Sequence, residues 1–379
     1  LIAGEASGDL LAAELVKALK QSPEVQAMAF PPAFFGAGGP EMAEAGVELA
    51  VDLTQHSVIG LFDALKKYRE FKPIFDQLFL LALERGPDAI ICVDFSGFNH
   101  RFAHAVKNHV RAREGTFLNW NPKIVQYVSP QVWASRPGPR VQKLRVEFVG
   151  HPMVERFTNY ESRITSQHPN DEPIINRPWQ ILLLPGSRVT ELRRHLPLLT
   201  ATARKIRETK PETRFKMVLP GEELKRLADQ PSTRLSDLQI QIGGLAQALA
   251  ETDLAITKSG TVTLECAYSG VPAVVFYKTS LLSYLAGRMA VSVEHLAMPN
   301  LLAGEEVFPE FIQHDATAEN IARAALELLN NAGRRNVVKT KLARIIKSLG
   351  GPGASRRAAA AVLSLLAQEP LPIRAVLTA

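Results

Sequence analysis

Leu254-Ala255-Ile256-Thr257-Lys258-Ser259-Gly260-Thr261-Val262-Thr263-Leu264-Glu265 decides how this chain is read. Its first three residues are apolar and the fourth, Thr257, is β-branched, which predicts a buried strand over 254–257 that ends at polar residues. The Ser-Gly-Thr turn then delivers the chain into a helix. Strand, tight turn and helix in that order is the repeating unit of a parallel sheet covered by helices.

The same alternation extends in both directions. Further strands are predicted at 180–184, 214–218, 239–241 and 273–276 in the second half, and at 1–3, 34–37, 89–93, 124–128 and 147–149 in the first, with helices such as 8–20 and 98–113 between them. The fold class is therefore α/β, and two such series make two Rossmann-like domains. A length of 379 residues suits two cores better than one. The stretch 159–178, rich in Pro, Asn, Ser and charge, reads as the connection, so the domains are expected at 1–158 and 172–349. Beyond Gln313 the chain turns helical. A Gly350-Gly351-Pro352-Gly353 break precedes an Ala/Leu-rich helix, 354–368, within a terminal segment 354–379 that must dock on the first domain or on a second subunit.

Composition narrows the functional classes. A net charge of +6 and a pI near 9.3 favour acidic partners, but no run of Lys and Arg is interleaved with aromatics, which argues against nucleic acid. Two cysteines, Cys92 and Cys266, in separate apolar settings indicate a reducing compartment and no disulfide framework. No apolar run reaches 18 residues, so contact with a membrane is expected to be peripheral. Leu1-Ile2-Ala3 reads as the end of a strand whose beginning lies ahead of the sequence.

Four further turns at predicted strand ends could carry chemistry. Gly4-Glu5-Ala6-Ser7-Gly8-Asp9 joins a strand to a helix and serves either as an anion cradle or as a capped turn with Ser7 or Asp9 as the cap; Gly36-Ala37-Gly38-Gly39-Pro40 is a second turn of this type. Asp94 follows the strand 89–93 at the carboxyl edge where ligands of open α/β sheets collect, and is either a general base or a helix cap. Pro185-Gly186-Ser187-Arg188 places a guanidinium where it could grip a diphosphate, with the Gly186 and Ser187 amides beside it.

In the opening stretch, Ser259, Gly260 and Thr261 offer hydroxyls and amides to a phosphate, and Glu265 falls one turn later, where a carboxylate could accept from ribose hydroxyls. Asn300, in Pro299-Asn300-Leu301-Leu302-Ala303-Gly304, is read as a loop side chain able to donate to a sugar or phosphate oxygen. His100 and His104 share a helix face without a third ligand nearby, and no D-x-D triplet is present, so a metal-independent site without a cofactor is expected. Val58, Ile59, Leu61 and Phe62 precede Lys66, Lys67 and Arg69, which suits an interfacial helix on anionic lipid as well as a core-facing helix with a basic outer face.

Taken in order, the strings G-E-A-S-G-D, G-x-G-G-P, V-D-F-S-x-F-N, Y-V-S-P-Q-V-W-A, F-V-G-H-P, L-P-G-S-R-x-x-E, S-G-T-x-T-L-E and P-N-L-L-A-G resemble the lipid-A-disaccharide synthases along nearly the whole chain. The resemblance implies a GT-B architecture, two Rossmann-like domains facing a cleft, with the terminal helices exchanged between the subunits of a homodimer. It implies an inverting transfer from UDP-2,3-diacylglucosamine to 2,3-diacylglucosamine 1-phosphate at the cytoplasmic face of the inner membrane. Asp94 would then be the base or acceptor-orienting carboxylate, with Glu5 and Ser7 lining its cleft. Gly186, Ser187, Arg188, Ser259, Gly260, Thr261, Glu265 and Asn300 would hold the donor, and Val58, Ile59, Leu61 and Phe62 would meet the membrane or acyl chains.

The chain departs from the family between Gly138 and Pro139, where a helix and a further strand of about 30 residues are missing; loss of a buried strand would expose its apolar neighbours, so an omitted mobile segment is the expected cause. Other readings are a UDP-N-acetylglucosamine 2-epimerase or glycan-synthesising transferase of the same architecture, and a non-catalytic lipid-binding protein that retains the fold.

Overall fold

A computed structural model of the chain describes residues 1–54, 61–114, 120–127, 147–152, 154, 177–229, 237–280, 284 and 294–367, with only the backbone of 6, 61–70 and 96. It divides into two compact units, Leu1–Pro152 with Gly353–Ala379, and Met153–Pro352. The chain passes between them at Pro152 and again at Pro352, and most of the expected connection at 159–178 lies outside the described residues.

The first unit is built on five parallel strands, β1 (Ile2–Ala3), β2 (Phe35–Gly38), β3 (Glu48–Asp52), β4 (Ala89–Val93) and β5 (Lys123–Tyr127), in the order β3-β2-β1-β4-β5. The chain first steps outward from β1 to β2 and β3, then crosses to the other side of β1 to lay down β4 and β5. The β1/β4 junction is therefore a topological switch point, where helices of opposite sense part and leave a crevice at the carboxyl ends. Ala3 pairs with Val93 there, so Gly4 and Asp94 leave the sheet side by side.

The second unit repeats the design with six parallel strands, β6 (Gln180–Leu184), β7 (Arg214–Leu219), β8 (Leu238–Ile242), β9 (Leu254–Lys258), β10 (Ala273–Tyr277) and β11 (Glu310–Ile312), in the order β11-β10-β9-β6-β7-β8. Its switch point is β6/β9, whose carboxyl ends lead into Pro185–Arg188 and Ser259–Thr261 respectively. Central strands covered on both faces read as unbroken apolar runs, and Ile181 to Leu184 are all buried. Helix Val189–Thr209 packs on them through Leu192, Leu196, Leu199, Ala203 and Ile206, a three-and-four spacing that keeps one face inward. Asp253 anchors the amino ends of this sheet, accepting from both Arg177 guanidinium nitrogens at 2.8 and 2.6 Å and from the Gln180 N–H at 2.8 Å.

Helix Ala354–Ala367 returns to the first unit and lies on helix Ala6–Gln21 of the same chain, with Ala358, Ala359 and Val362 buried among Ala12, Leu15, Val16 and Leu19. Small side chains let the two helices approach closely, and Leu363 and Leu366 extend the contact. Arg357 Nε donates to the Val149 carbonyl at 2.8 Å.

Three expectations need correction. Residues 147–149 form no strand: Glu147 and Phe148 are exposed there, and the apolar look of Phe148-Val149 comes from a coil. Strands β3 and β11 were missed because Glu48–Asp52 is only half-buried and β11 is three residues long. Asn300 is not a loop residue but belongs to helix Met298–Ala303.

Candidate functional site

The polar residues collect in two groups, one at each switch point. In the first unit, Glu5 is the extended residue that starts helix Ala6–Gln21, half-buried at the end of β1, and Ser7 is exposed in the first helical turn. A Cβ on Gly8 would lie 3.3 Å from the Asp94 Cβ, so the 4–9 turn and Asp94 are in contact. A Cβ on Gly4 would fall 2.3 Å from the Phe95 ring, which explains why that position is glycine. The 4–9 turn is thus shaped by its fit against residues 94 and 95.

Asp94 and Phe95 both have left-handed backbones, with φ of 52° and 44°. Consecutive positive values at non-glycine residues cost on the order of 1–3 kcal/mol each, and such strain concentrates at active sites. Phe95 is fixed in place by stacking on Phe98 at 5.3 Å and by Phe71 at 5.6 Å between ring centroids. Asp94, half-buried, is held at the carboxyl edge and heads into helix Ser96–Ala112.

Asp9 resolves the question of the cap. It is buried and caps not its own helix but helix Pro40–Glu44, accepting from the N–H groups of Gly39 at 2.7 Å, Glu41 at 3.0 Å and Met42 at 3.1 Å. A Cβ on Gly39 would sit 2.7 Å from an Asp9 oxygen and 2.5 Å from Thr54, so the second glycine turn exists to bring these amides onto Asp9. Asp9 therefore has an architectural role, as does the 36–40 turn.

In the second unit Arg188 is the extended residue before helix Val189–Thr209, with its guanidinium 3.5 Å from Glu191. Glu191 is the centre of the cluster: its carboxylate also accepts from the Ser187 N–H at 3.0 Å and from Lys258 Nζ at 3.1 Å. Burial pushes the Glu191 carboxyl up, but the charge and hydrogen bond of Lys258, then the charge of Arg188 and the Ser187 N–H, outweigh it and hold it below the usual carboxylate range. One anion between two cations leaves the cluster net positive. Gly186 has φ of +123°, and a Cβ there would collide with Glu191 at 2.3 Å, so the tight turn requires glycine. His195, buried, bridges the carbonyls of Pro185 at 2.6 Å and Lys278 at 3.0 Å, fixing the end of β6 to that of β10.

Lys258 and Glu191 were not assigned from sequence, although Glu191 stands in the L-P-G-S-R-x-x-E string. Lys258 closes a strand otherwise read as apolar, and only its placement beside Gly260, 3.1 Å from where a Cβ would be, reveals it as part of the turn.

The turn after β9 is partly used internally. Ser259 donates its hydroxyl to the Leu296 carbonyl at 2.8 Å and its N–H to Phe276, so neither group is open to an anion. The N–H groups of Gly260, Thr261 and Val262 have no acceptor among the described residues. Thr261 is exposed, and Glu265 is half-buried one turn into helix Val262–Tyr268.

Asn300 is fully occupied. Its Nδ2 donates to Phe308 O at 2.7 Å and Glu310 Oε1 at 2.6 Å, while its Oδ1 accepts from the N–H groups of Val307 and Phe308. With both donors and both lone pairs engaged in a buried bracket, its expected contact with a ligand is withdrawn. Val58 and Ile59 lie outside the described residues, and Leu61 and Phe62 are described only by their backbone at the start of helix Leu61–Arg85. His100 and His104 lie with ring centroids 6.5 Å apart, and among the described residues no group of three or more His, Cys, Asp or Glu is placed to hold a metal.

Two parallel α/β units, each carrying its polar turns at a switch point, define a protein of the GT-B class. The solved structures agree on the fold: the UDP-GlcNAc 2-epimerase from Neisseria meningitidis bound to UDP-GlcNAc superposes with a TM-score of 0.55 at 12% identity, over 93% of this chain and 96% of that one. CalG4, the calicheamicin glycosyltransferase, superposes with a TM-score of 0.50 at 14% identity over 95% of each chain. The model of the lipid-A-disaccharide synthetase family matches residues 1–144 and 139–365, and the lipid-A-disaccharide synthase of Trichlorobacter lovleyi is 34% identical over 97% of both chains. The chain belongs to the lipid-A-disaccharide synthase family of glycosyltransferases. The family match breaks in two around 139–144, and the alignment with the relative runs to 397 positions against 379 residues here, so the relative carries residues that this chain lacks.

Proposed function

We propose that the chain transfers 2,3-diacylglucosamine from its UDP-activated form to 2,3-diacylglucosamine 1-phosphate, giving a β-1,6-linked disaccharide 1-phosphate and UDP. Support comes from family membership together with one structural observation: the two groups read from sequence as base and diphosphate cation, Asp94 and Arg188, each stand at the switch-point edge of their own sheet. The acceptor hydroxyl forms a bond to the donor's anomeric carbon as the bond from that carbon to the diphosphate breaks, with inversion. The hydroxyl proton passes to the Asp94 carboxylate, with Glu5 and Ser7 beside it. UDP departs with its charge met by Arg188 and Lys258, by the turn at Gly186 with the Ser187 hydroxyl, the Ser187 N–H being engaged by Glu191, and by the open N–H groups of Gly260, Thr261 and Val262. Glu265 is assigned to the ribose hydroxyls, and Ser259 shapes the turn.

No metal or cofactor enters this reading, because two cations and backbone amides supply the neutralisation. Activity should therefore persist in excess chelator; abolition that added magnesium reverses would contradict this. The protein is proposed to act as a homodimer on the cytoplasmic face of the inner membrane, docking peripherally through Val58, Ile59, Leu61 and Phe62. No described helix is long and apolar enough to cross a membrane. UDP release measured with and without the diacylated acceptor tests the reaction class: release should depend on the acceptor, and turnover of water-soluble UDP-N-acetylglucosamine alone would favour a 2-epimerase instead.

A further inference from the structure

Asn99 is the last residue of the V-D-F-S-x-F-N string, and it is 1% exposed in the first turn of helix Ser96–Ala112. Its Nδ2 donates to the Asp94 carbonyl at 2.8 Å and lies 3.4 Å from the carbonyls of both Val93 and Ile2. The amide thus faces three carbonyl oxygens, from the ends of β4 and β1 on either side of the switch point. Only the NH2 side can face that cluster, which fixes the orientation of the amide. Its Oδ1 is buried without a partner among the described residues. A side chain retained for packing alone would be apolar, or satisfied on both sides. Here an unpaired oxygen is tolerated beside two left-handed residues, Asp94 and Phe95, whose backbone relaxes unless something holds it.

We infer that Asn99 is a positioning residue for the transfer: its amide clamps the Asp94 carbonyl and keeps the turn in the strained form that aims the carboxylate at the acceptor. Glu5 and Ser7 follow β1, so the same amide also sets the register of their turn against Asp94. The inference rests on the reading of Asp94 as the base. A base displaced by about 1 Å can lose a factor of about 100 in rate with no change in donor binding.

The test uses the full chain and both diacylated substrates, comparing Asn99→Ala, the milder Asn99→Ser, and Val106→Ala, which removes buried apolar volume from the same helix away from the turn. Asn99→Ala and Asn99→Ser should each lower kcat about 10- to 100-fold, with KM for the donor and the calorimetric Kd for UDP within about twofold of the parent. Val106→Ala should lower Tm while leaving kcat close to the parent value. The inference is overturned if the Asn99 variants keep the kcat of Val106→Ala, or if UDP affinity falls as much as kcat. An active Asp94→Ala enzyme would sink the base assignment itself, and a fully active Asn99→Ala beside a dead Asp94→Ala would sink only the positioning role.

Discussion

At the scale of single residues, the proposed chemistry is divided between one carboxylate, Asp94, and two cations, Arg188 and Lys258. Asp94→Ala should abolish disaccharide formation while UDP binds with nearly unchanged affinity, since Asp94 belongs to the first unit and the groups proposed to meet the diphosphate belong to the second; equal activity in the variant would remove Asp94 from the mechanism. Arg188→Ala should weaken UDP by about 1–3 kcal/mol, the range for a charge-assisted contact, and calorimetry reads it directly. Lys258→Met carries a stability signature. Glu191 is held below its ordinary value in the folded protein, so its contribution is present above the unfolded carboxylate value and disappears as pH falls through the folded one. Removing Lys258 leaves burial less opposed, which should cost about 1–2 kcal/mol at pH 7 by urea denaturation. That difference should shrink in acid, as pH falls below the ordinary carboxylate range and through the lowered value of Glu191; a difference independent of pH would show that the ion pair is not its source.

At the scale of elements, turns and glycines set the geometry. Gly4→Ala would push a methyl into the Phe95 ring, and the ring can yield only by moving the strained turn that carries Asp94. We expect a loss of about 1–3 kcal/mol in stability together with a fall in kcat, whereas retention of full activity would show that the turn adapts freely. The strands bracketing both switch points were legible because central parallel strands are unbroken apolar runs, and the turns after them carry small residues. What stayed hidden depends on distant partners. Asp9 looked like a local cap and instead caps a helix more than 30 residues away. Asn300 looked like a ligand contact because no sequence pattern shows that Glu310 and the 307–308 backbone would engage all of its polar atoms. Lys258 sat at the end of an apolar strand, and its value emerged only when helix Val189–Thr209 brought Glu191 alongside.

At the scale of the whole molecule, the first unit is completed by the end of the chain. Helix Ala354–Ala367 covers an apolar face of helix Ala6–Gln21, so deleting residues from Gly353 onward would expose Ala12, Leu15, Val16 and Leu19. The loss, on the order of 5 kcal/mol, approaches the whole stability of a domain, and limited proteolysis should find the first unit cleaved; a protease-resistant first unit would contradict that packing. The proposed base belongs to one Rossmann-like unit and the proposed diphosphate groups to the other, and the identity of the product tests both assignments. The most direct measurement is incubation of the protein with UDP-2,3-diacylglucosamine and 2,3-diacylglucosamine 1-phosphate, followed by mass and linkage analysis. A single β-1,6-linked tetraacyl disaccharide 1-phosphate, formed in equal amount to UDP, is the predicted result. Free diacylglucosamine, an epimerised donor, or no product from either substrate would contradict the account.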